Sequence, residues 1–136
     1  MSMGESKPLV LFVCVHNAGR SRMAEAFFRA EAGERYRAAS AGTEPAPAPH
    51  TEVVAAMEEA GVPIDRGPGR LLNQDLANEA YRVIGMGCNV QEACPAVRLP
   101  LEDWELKDPK GKSPKEVAAI RDEIHRRVKE LVAGLP

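Results

Sequence analysis

The spacing of apolar residues changes along the chain, and each change predicts a different element. Leu9–Val13 is an unbroken apolar run, which is typical of a strand buried on both faces in a parallel sheet. A loop at Val15–Gly19 follows it. Apolar side chains at helical spacing then predict a helix that begins near Ser21 and ends at Gly33. Tyr36–Ala41 is interpreted as a short second strand.

The middle of the chain continues this alternation. Glu44–Pro49 alternates proline with other residues and is therefore a loop. Val53 and Met57 mark a second helix, which Gly61 closes. The further predicted elements are a loop at Gly61–Arg70, a short helix at Asn73–Ala80, a third strand at Tyr81–Met86, a loop at Gly87–Pro95 and a fourth strand at Ala96–Leu99.

The last predicted helix has a clear start signal. Ser113 and Glu116 form a capping-box pattern with a proline between them, and an apolar face then runs to Gly134. Strands that alternate with helices predict an α/β fold, a three-layer domain with a mostly parallel sheet. We find no internal repeat and no domain boundary. Residues 1–136 are therefore predicted to form a single domain, with residues 1–7 as a flexible N-terminus.

Composition narrows the classes of function. Lysine and arginine total 18 against 20 acidic residues, and aromatic residues make up 4%, so we expect no nucleic-acid partner. The longest apolar run is too short to span a bilayer and the N-terminus lacks a signal-peptide pattern, so we expect no membrane partner. Three cysteines are too few for a disulfide scaffold. We expect a cytoplasmic monomer without a cofactor or metal, in which cysteine serves chemistry or fills the core.

The candidate chemistry lies at Cys14–Ser21, between the buried strand and the first helix. A loop that leads into a helix start directs backbone N–H groups and the positive end of the helix dipole to one point. Arg20 can donate two hydrogen bonds to a tetrahedral oxyanion, and this field favours the thiolate form of Cys14. Cys14 is therefore a candidate nucleophile, and a buried structural cysteine is the alternative. The predicted anion-binding residues are Val15, His16, Asn17, Ala18, Gly19, Arg20 and Ser21.

Cys14–Ser21, continuing through Arg22–Glu25, resembles the low-molecular-weight protein tyrosine phosphatase superfamily. Within that superfamily the segment is most similar to the arsenate reductases that share the fold. The resemblance covers the chain from about Leu9 to the last helix. It implies a four-stranded parallel sheet flanked by helices, with the anion bound in the Cys14–Arg20 loop.

The resemblance also implies a role for the other two cysteines. Cys14 would attack arsenate, Cys88 would then form a disulfide with Cys14, and Cys94 would move that disulfide to an 88–94 pair that thioredoxin reduces. Each sulfur step is thiol–disulfide exchange. Two alternatives are inert core cysteines and a zinc site, and the latter is the weaker because the spacing is not Cys-x2-Cys.

Asp108 is the candidate general acid, because an Asp-Pro pair at this place matches the family's acid. An ordinary Asp-Pro turn is the alternative. His16 is interpreted as loop structure or pocket rim, and His50 as a helix-start residue. Two other functions stay open: a phosphatase that uses Cys14, Arg20 and Asp108, and a non-catalytic module that senses phosphate or arsenate.

Overall fold

Four parallel strands form the centre of the part of the chain that the computed structural model describes, residues 7–86 and 101–136. Their order in the sheet is β2-β1-β3-β4, and every neighbouring pair is parallel. In chain order the strands are β1 (Leu9–Cys14), β2 (Arg37–Gly42), β3 (Arg82–Gly85) and β4 (Leu101–Asp103).

Helices cover both faces of this sheet. In chain order they are α1 (Arg20–Ala32), α2 (Thr51–Glu59), α3 (Gln74–Glu79) and α4 (Pro114–Gly134), with a short 3-10 turn at Gly33–Arg35 after α1. Alternate residues of β1 enter two separate cores: Val10 and Phe12 pack with α1, α2 and α4, whereas Leu11 and Val13 pack with α3. The predicted three-layer α/β class, with a four-stranded parallel sheet, is confirmed.

Strand β1 is buried along its whole length, as the unbroken apolar run predicts. The ring of Phe12 lies between Phe28 of α1 and Trp104 after β4, with ring centroids 5.7 and 6.0 Å apart. Burial of such aromatic rings is a large contribution to core stability. The central strand is therefore a rigid support for the residue that ends it, Cys14.

The start signals read from the sequence also hold. Ser113 caps α4 through the Glu116 N–H, and the reciprocal bond from the Ser113 N–H to the Glu116 carboxylate completes the capping box. Asn73 caps α3 by accepting a 2.8 Å hydrogen bond from the Leu76 N–H. Both helices therefore begin where their capping residues predict.

Two predicted segments concern residues that lie outside the described ranges. Residues 87–100 lie outside the described residues, and so does the predicted strand at Ala96–Leu99; the fourth strand of the sheet is Leu101–Asp103. The predicted flexible N-terminus falls almost wholly on residues 1–6, which also lie outside the described range. No helix within the described ranges has the length and apolar character that crossing a membrane requires.

Candidate active site

The loop between β1 and α1 begins at the carboxyl edge of the sheet, where parallel α/β proteins bind ligands. Three of its carbonyls are held by the segment 44–50: Val15 accepts from the Glu44 N–H, His16 from the Ala46 N–H and Ala18 from the His50 N–H, at 2.8 to 2.9 Å. Because a trans peptide directs its N–H opposite to its carbonyl, the N–H groups that follow these carbonyls face the other side of the loop. This arrangement is typical of a backbone nest, which can bind an anion.

Cys14 lies under this loop and is 2% exposed. Its Sγ is 2.9 Å from the Ser21 Oγ, and the Asn17 Nδ2 donates to the same Oγ at 2.8 Å. Since Ser21 accepts from Asn17, its own hydroxyl proton is available for the sulfur. The chain Asn17–Ser21–Cys14 can therefore stabilise a thiolate through a charge-assisted hydrogen bond.

Asn17 is the residue that shapes the loop. It has a φ of 49°, in the left-handed region that asparagine tolerates better than most residues. Its side chain is buried, and its Oδ1 accepts a 2.9 Å hydrogen bond from the Arg70 N–H. Asn17 therefore joins the anion loop to the segment that follows residue 65.

Arg20 is the first residue of α1 and is half-buried. One of its guanidinium nitrogens donates a 3.2 Å hydrogen bond to the carbonyl of Leu106. Leu106 lies two residues before Asp108, so the arginine that is predicted to hold the anion contacts the segment that carries the predicted acid. The structure brings these two predicted site residues to one end of α1.

The Asp108–Pro109 pair lies against the anion loop. A Cβ added to Gly19 would be 2.9 Å from the Pro109 Cγ, so only glycine allows this close approach. Asp108 itself is exposed, and its Oδ1 accepts from the Lys110 N–H at 3.0 Å. The carboxyl group is thus fixed by its own turn beside Gly19 and stays open to solvent.

His50 is a residue of this site that the sequence did not assign to it. It is the helix-start residue of α2, as interpreted, but its ring also lies beside Gly19, with Cδ2 3.4 Å from a Cβ built there. Burial lowers the pKa of His50, and the nearby carboxylates of Asp108 and Glu52 act in the opposite direction. A loop–histidine–helix pattern carries no signal that could have revealed this position, because the contact depends on the tertiary fold.

His16 fits its interpretation as loop structure. Its Nδ1 lies 3.0 Å from the carbonyl oxygen of Glu44, so its ring is tied to the segment that also holds the loop's backbone. Within residues 7–86 and 101–136, no group of three or more His, Cys, Asp or Glu side chains is arranged to hold a metal ion.

The two remaining predicted cysteines, Cys88 and Cys94, lie outside the described residues. The chain approaches them from a defined place: the Met86 N–H donates a 2.8 Å hydrogen bond to the carbonyl of Val13. Met86, the last described residue before them, therefore lies beside the residue that precedes Cys14.

Comparison with known proteins places the chain among proteins of this architecture. An arsenate reductase of Brevibacillus brevis is 31% identical over 128 residues, which cover 93% of this chain and 95% of that protein. A thioredoxin-dependent arsenate reductase of Corynebacterium glutamicum superposes with a TM-score of 0.76 at 38% identity. The match covers 92% of this chain but 60% of that longer protein. An arsenate reductase solved in the phosphate binding state superposes with a TM-score of 0.77 at 30% identity, and the match covers 95% of this chain and 99% of that one.

The family model of the low molecular weight phosphotyrosine protein phosphatases matches residues 9–136. This match includes all four strands described above and both residues of the Cys14–Arg20 pair. The resemblance inferred from the sequence is confirmed, and the chain belongs to the low molecular weight phosphotyrosine protein phosphatase family.

Proposed function

We propose that this chain is an arsenate reductase with Cys14 as its nucleophile. The observation that carries the proposal is the 2.9 Å contact between Cys14 Sγ and Ser21 Oγ at the start of α1. A thiol held there lies at the start of a helix, whose dipole and free backbone N–H groups favour an anion and a thiolate, and Arg20 is the first residue of that helix. Relatives and solved neighbours named as arsenate reductases support the choice of arsenate.

In the first step the Cys14 thiolate attacks arsenic while Arg20 and the loop N–H groups hold the oxyanion. An S–As bond forms and one As–O bond breaks. The departing oxygen takes a proton from Asp108 and leaves as water. Arsenic is still As(V) in this adduct, so reduction needs a second thiol.

In the second step the Cys88 thiolate attacks the Cys14 sulfur. An S–S bond forms, the electron pair of the S–As bond passes to arsenic, and arsenite leaves as As(III). Cys94 then attacks Cys88, which releases the Cys14 thiolate and leaves an 88–94 disulfide. Thioredoxin supplies the two electrons that reduce this disulfide. The bond between the Met86 N–H and the Val13 carbonyl supports a role for Cys88, because Met86 is two residues before it in the sequence and lies beside β1.

We also propose that the chain acts as a monomer in the cytoplasm, where thioredoxin keeps thiols reduced. The proposed steps need no metal or organic cofactor, since every reacting group except the thioredoxin that supplies the electrons belongs to the chain itself. Size-exclusion chromatography with light scattering measures the oligomeric state directly.

A phosphatase is the second candidate function, because the same Cys14, Arg20 and Asp108 suffice for it. The closeness of Pro109 to Gly19 fits this function too, since it brings the acid-bearing turn to the loop that would bind a phosphate ester. The residues after Asp-Pro are Lys110, Gly111 and Lys112, whereas phosphatases of this family usually carry aromatic residues there that grip phosphotyrosine. Weak phosphatase activity can accompany reductase activity.

The deciding experiment measures arsenate-dependent NADPH oxidation with thioredoxin and thioredoxin reductase. Wild type and the variants Cys14→Ser, Cys88→Ser and Cys94→Ser are compared, and we expect steady-state turnover only for wild type. Hydrolysis of p-nitrophenyl phosphate is the matched control: it should be abolished by Cys14→Ser and kept by the other two variants. Normal arsenate turnover by Cys94→Ser would refute the relay. Phosphatase activity without any arsenate reduction would favour the second candidate.

A further inference from the structure

A second arginine of α1 is buried behind the anion loop. Arg22 is 6% exposed, although arginine is among the residues least often buried. It lies two positions after Arg20, and side chains at that spacing on a helix point in different directions. Arg20 reaches Leu106, whereas Arg22 reaches the opposite segment, around residues 65–67.

Every nitrogen of this guanidinium donates to a backbone carbonyl. Nε donates to Asn17 at 2.6 Å, and the two terminal nitrogens donate to Asp65 at 2.8 Å and to Gly67 at 2.7 Å. The planar fork of arginine matches three such acceptors, which lysine cannot do. Arg22 therefore joins the anion loop to a segment more than 40 positions away.

The acidic groups near Arg22 have other hydrogen-bond partners. Glu25 accepts from Ser40 at 2.5 Å and pairs with Arg29 at 2.6 Å. Asp65 accepts from the Gly67 N–H at 3.2 Å through its Oδ1. Because the three bonds of Arg22 all go to neutral carbonyls, its positive charge is not cancelled by a directly bonded carboxylate.

The charge of Arg22 lies within electrostatic range of Cys14. Burial lowers the pKa of Arg22, while the charges of Asp65, Glu25 and Cys14 raise it in that order. Arginine stays protonated at neutral pH despite burial. The interaction is mutual, so a charged Arg22 favours the thiolate of Cys14.

Geometry gives Arg22 a second route to the thiol. Its Nε holds the carbonyl of Asn17, the residue with the left-handed backbone. The side chain of Asn17 donates to Ser21, and Ser21 contacts Cys14. Loss of the Arg22 bond therefore frees the peptide on which the Asn17–Ser21–Cys14 chain depends.

We propose that Arg22 is a positioning residue of this site, a buried cation that clamps the anion loop from behind and favours the thiolate form of Cys14. The inference rests on the proposed role of Cys14 as the nucleophile. It assigns to Arg22 a charge effect as well as a structural tie, and the two can be separated by experiment.

The test is the rate at which iodoacetamide alkylates Cys14 between pH 5 and pH 10, followed by mass spectrometry of the peptide that contains Cys14. For Arg22→Met we expect alkylation about tenfold slower than wild type at pH 6 and equal at pH 10. Arg22→Lys keeps the charge but not the three carbonyl bonds, so its alkylation rate at pH 6 should lie between those of wild type and Arg22→Met.

Arg121→Met is the matched control, because Arg121 of α4 is also largely buried and also donates to a backbone carbonyl, that of Ala56. We expect it to leave the profile unchanged. A folded Arg22→Met variant with wild-type alkylation at pH 6 overturns the proposal, and so does a variant that is equally slow at every pH. If Arg22→Met does not fold, Arg22→Gln takes its place. If neither neutral variant folds, a positive charge at position 22 is required for folding and the positioning role is overturned.

Alkylation needs neither arsenate nor thioredoxin, so the two proposals fail separately. The expected Arg22 effect in a protein that does not reduce arsenate overturns only the proposed function. If the wild-type protein reduces arsenate but Arg22→Met has the wild-type alkylation profile, only the proposed role of Arg22 is overturned.

Discussion

Replacement of Ser21 by alanine isolates the hydrogen bond that holds the nucleophile. Ser21 is fully buried, and its Oγ is 2.9 Å from the Cys14 Sγ. The change removes one oxygen from the interior and leaves the sulfur, the helix start and Arg20 in place. It also leaves the Asn17 side-chain amide without the acceptor that it has at 2.8 Å.

The magnitude follows from the charge of the acceptor. A hydrogen bond to a charged group contributes about 1.5–3 kcal/mol, and each 1.36 kcal/mol corresponds to about a tenfold change in the thiolate fraction. Sulfur is a weak acceptor, so we take the lower value. Ser21→Ala should therefore slow alkylation of Cys14 by about tenfold at pH 6 and leave the rate at pH 10 unchanged.

Ser113→Ala is the matched control for this measurement. Ser113 caps α4, so its loss costs about 1 kcal/mol of folding free energy without touching the site. If both variants slow alkylation equally, the effect of Ser21→Ala reflects general destabilisation. A folded Ser21→Ala protein with the wild-type pH profile would refute the reasoning, since it would mean that the serine does not stabilise the thiolate.

Two further predictions concern the turn that carries the acid. Gly19→Ala places a Cβ 2.9 Å from the Pro109 Cγ, so it should displace the acid and lower kcat for p-nitrophenyl phosphate by at least about tenfold. Alkylation of Cys14 at pH 10 should stay within about threefold of wild type. A kcat equal to that of wild type would contradict the prediction. Glu52 accepts from the Gly111 N–H at 2.7 Å, and backbone hydrogen bonds to Glu52 itself and to Gly111 lower its pKa. The stability that Glu52 contributes is therefore complete above the ordinary glutamate pKa and is lost as the pH falls. The difference in Tm between wild type and Glu52→Gln should accordingly shrink to zero between pH 7 and pH 3. A difference that stays constant would contradict the prediction.

Local signals were sufficient for much of the fold. The apolar run at Leu9–Val13 specified a strand buried on both faces, and Ser113 with Glu116 specified the start of the last helix. Both elements depend on interactions between residues that are close in the sequence, so a local sequence pattern is enough to predict them. The loop with Cys14 and Arg20 could be identified for the same reason, since its function arises from the strand and helix that flank it.

Arg22 and His50 could not be assigned in this way. Arg22 bonds to carbonyls 43 and 45 positions away, and backbone carbonyls carry no sequence signature. His50 reaches Gly19 across the fold. An arginine or histidine near a helix start is ordinarily expected to be exposed to solvent. Only the tertiary packing shows that Arg22 and His50 lie at the site instead.

The proline alternation at Glu44–Pro49 has a consequence for how this segment can evolve. The donors to the anion loop are the N–H groups of Glu44, Ala46 and His50, all at even positions, and the prolines stand at 45, 47 and 49. Proline has no N–H to donate, so it occupies only places where none of these bonds is needed. Side chains at positions 44 and 46 can vary, because the segment uses their backbone, whereas the ring of His50 also lies beside Gly19. A single-residue insertion or deletion would instead shift prolines into the donor positions, and we expect natural variation here to consist of substitutions at constant length.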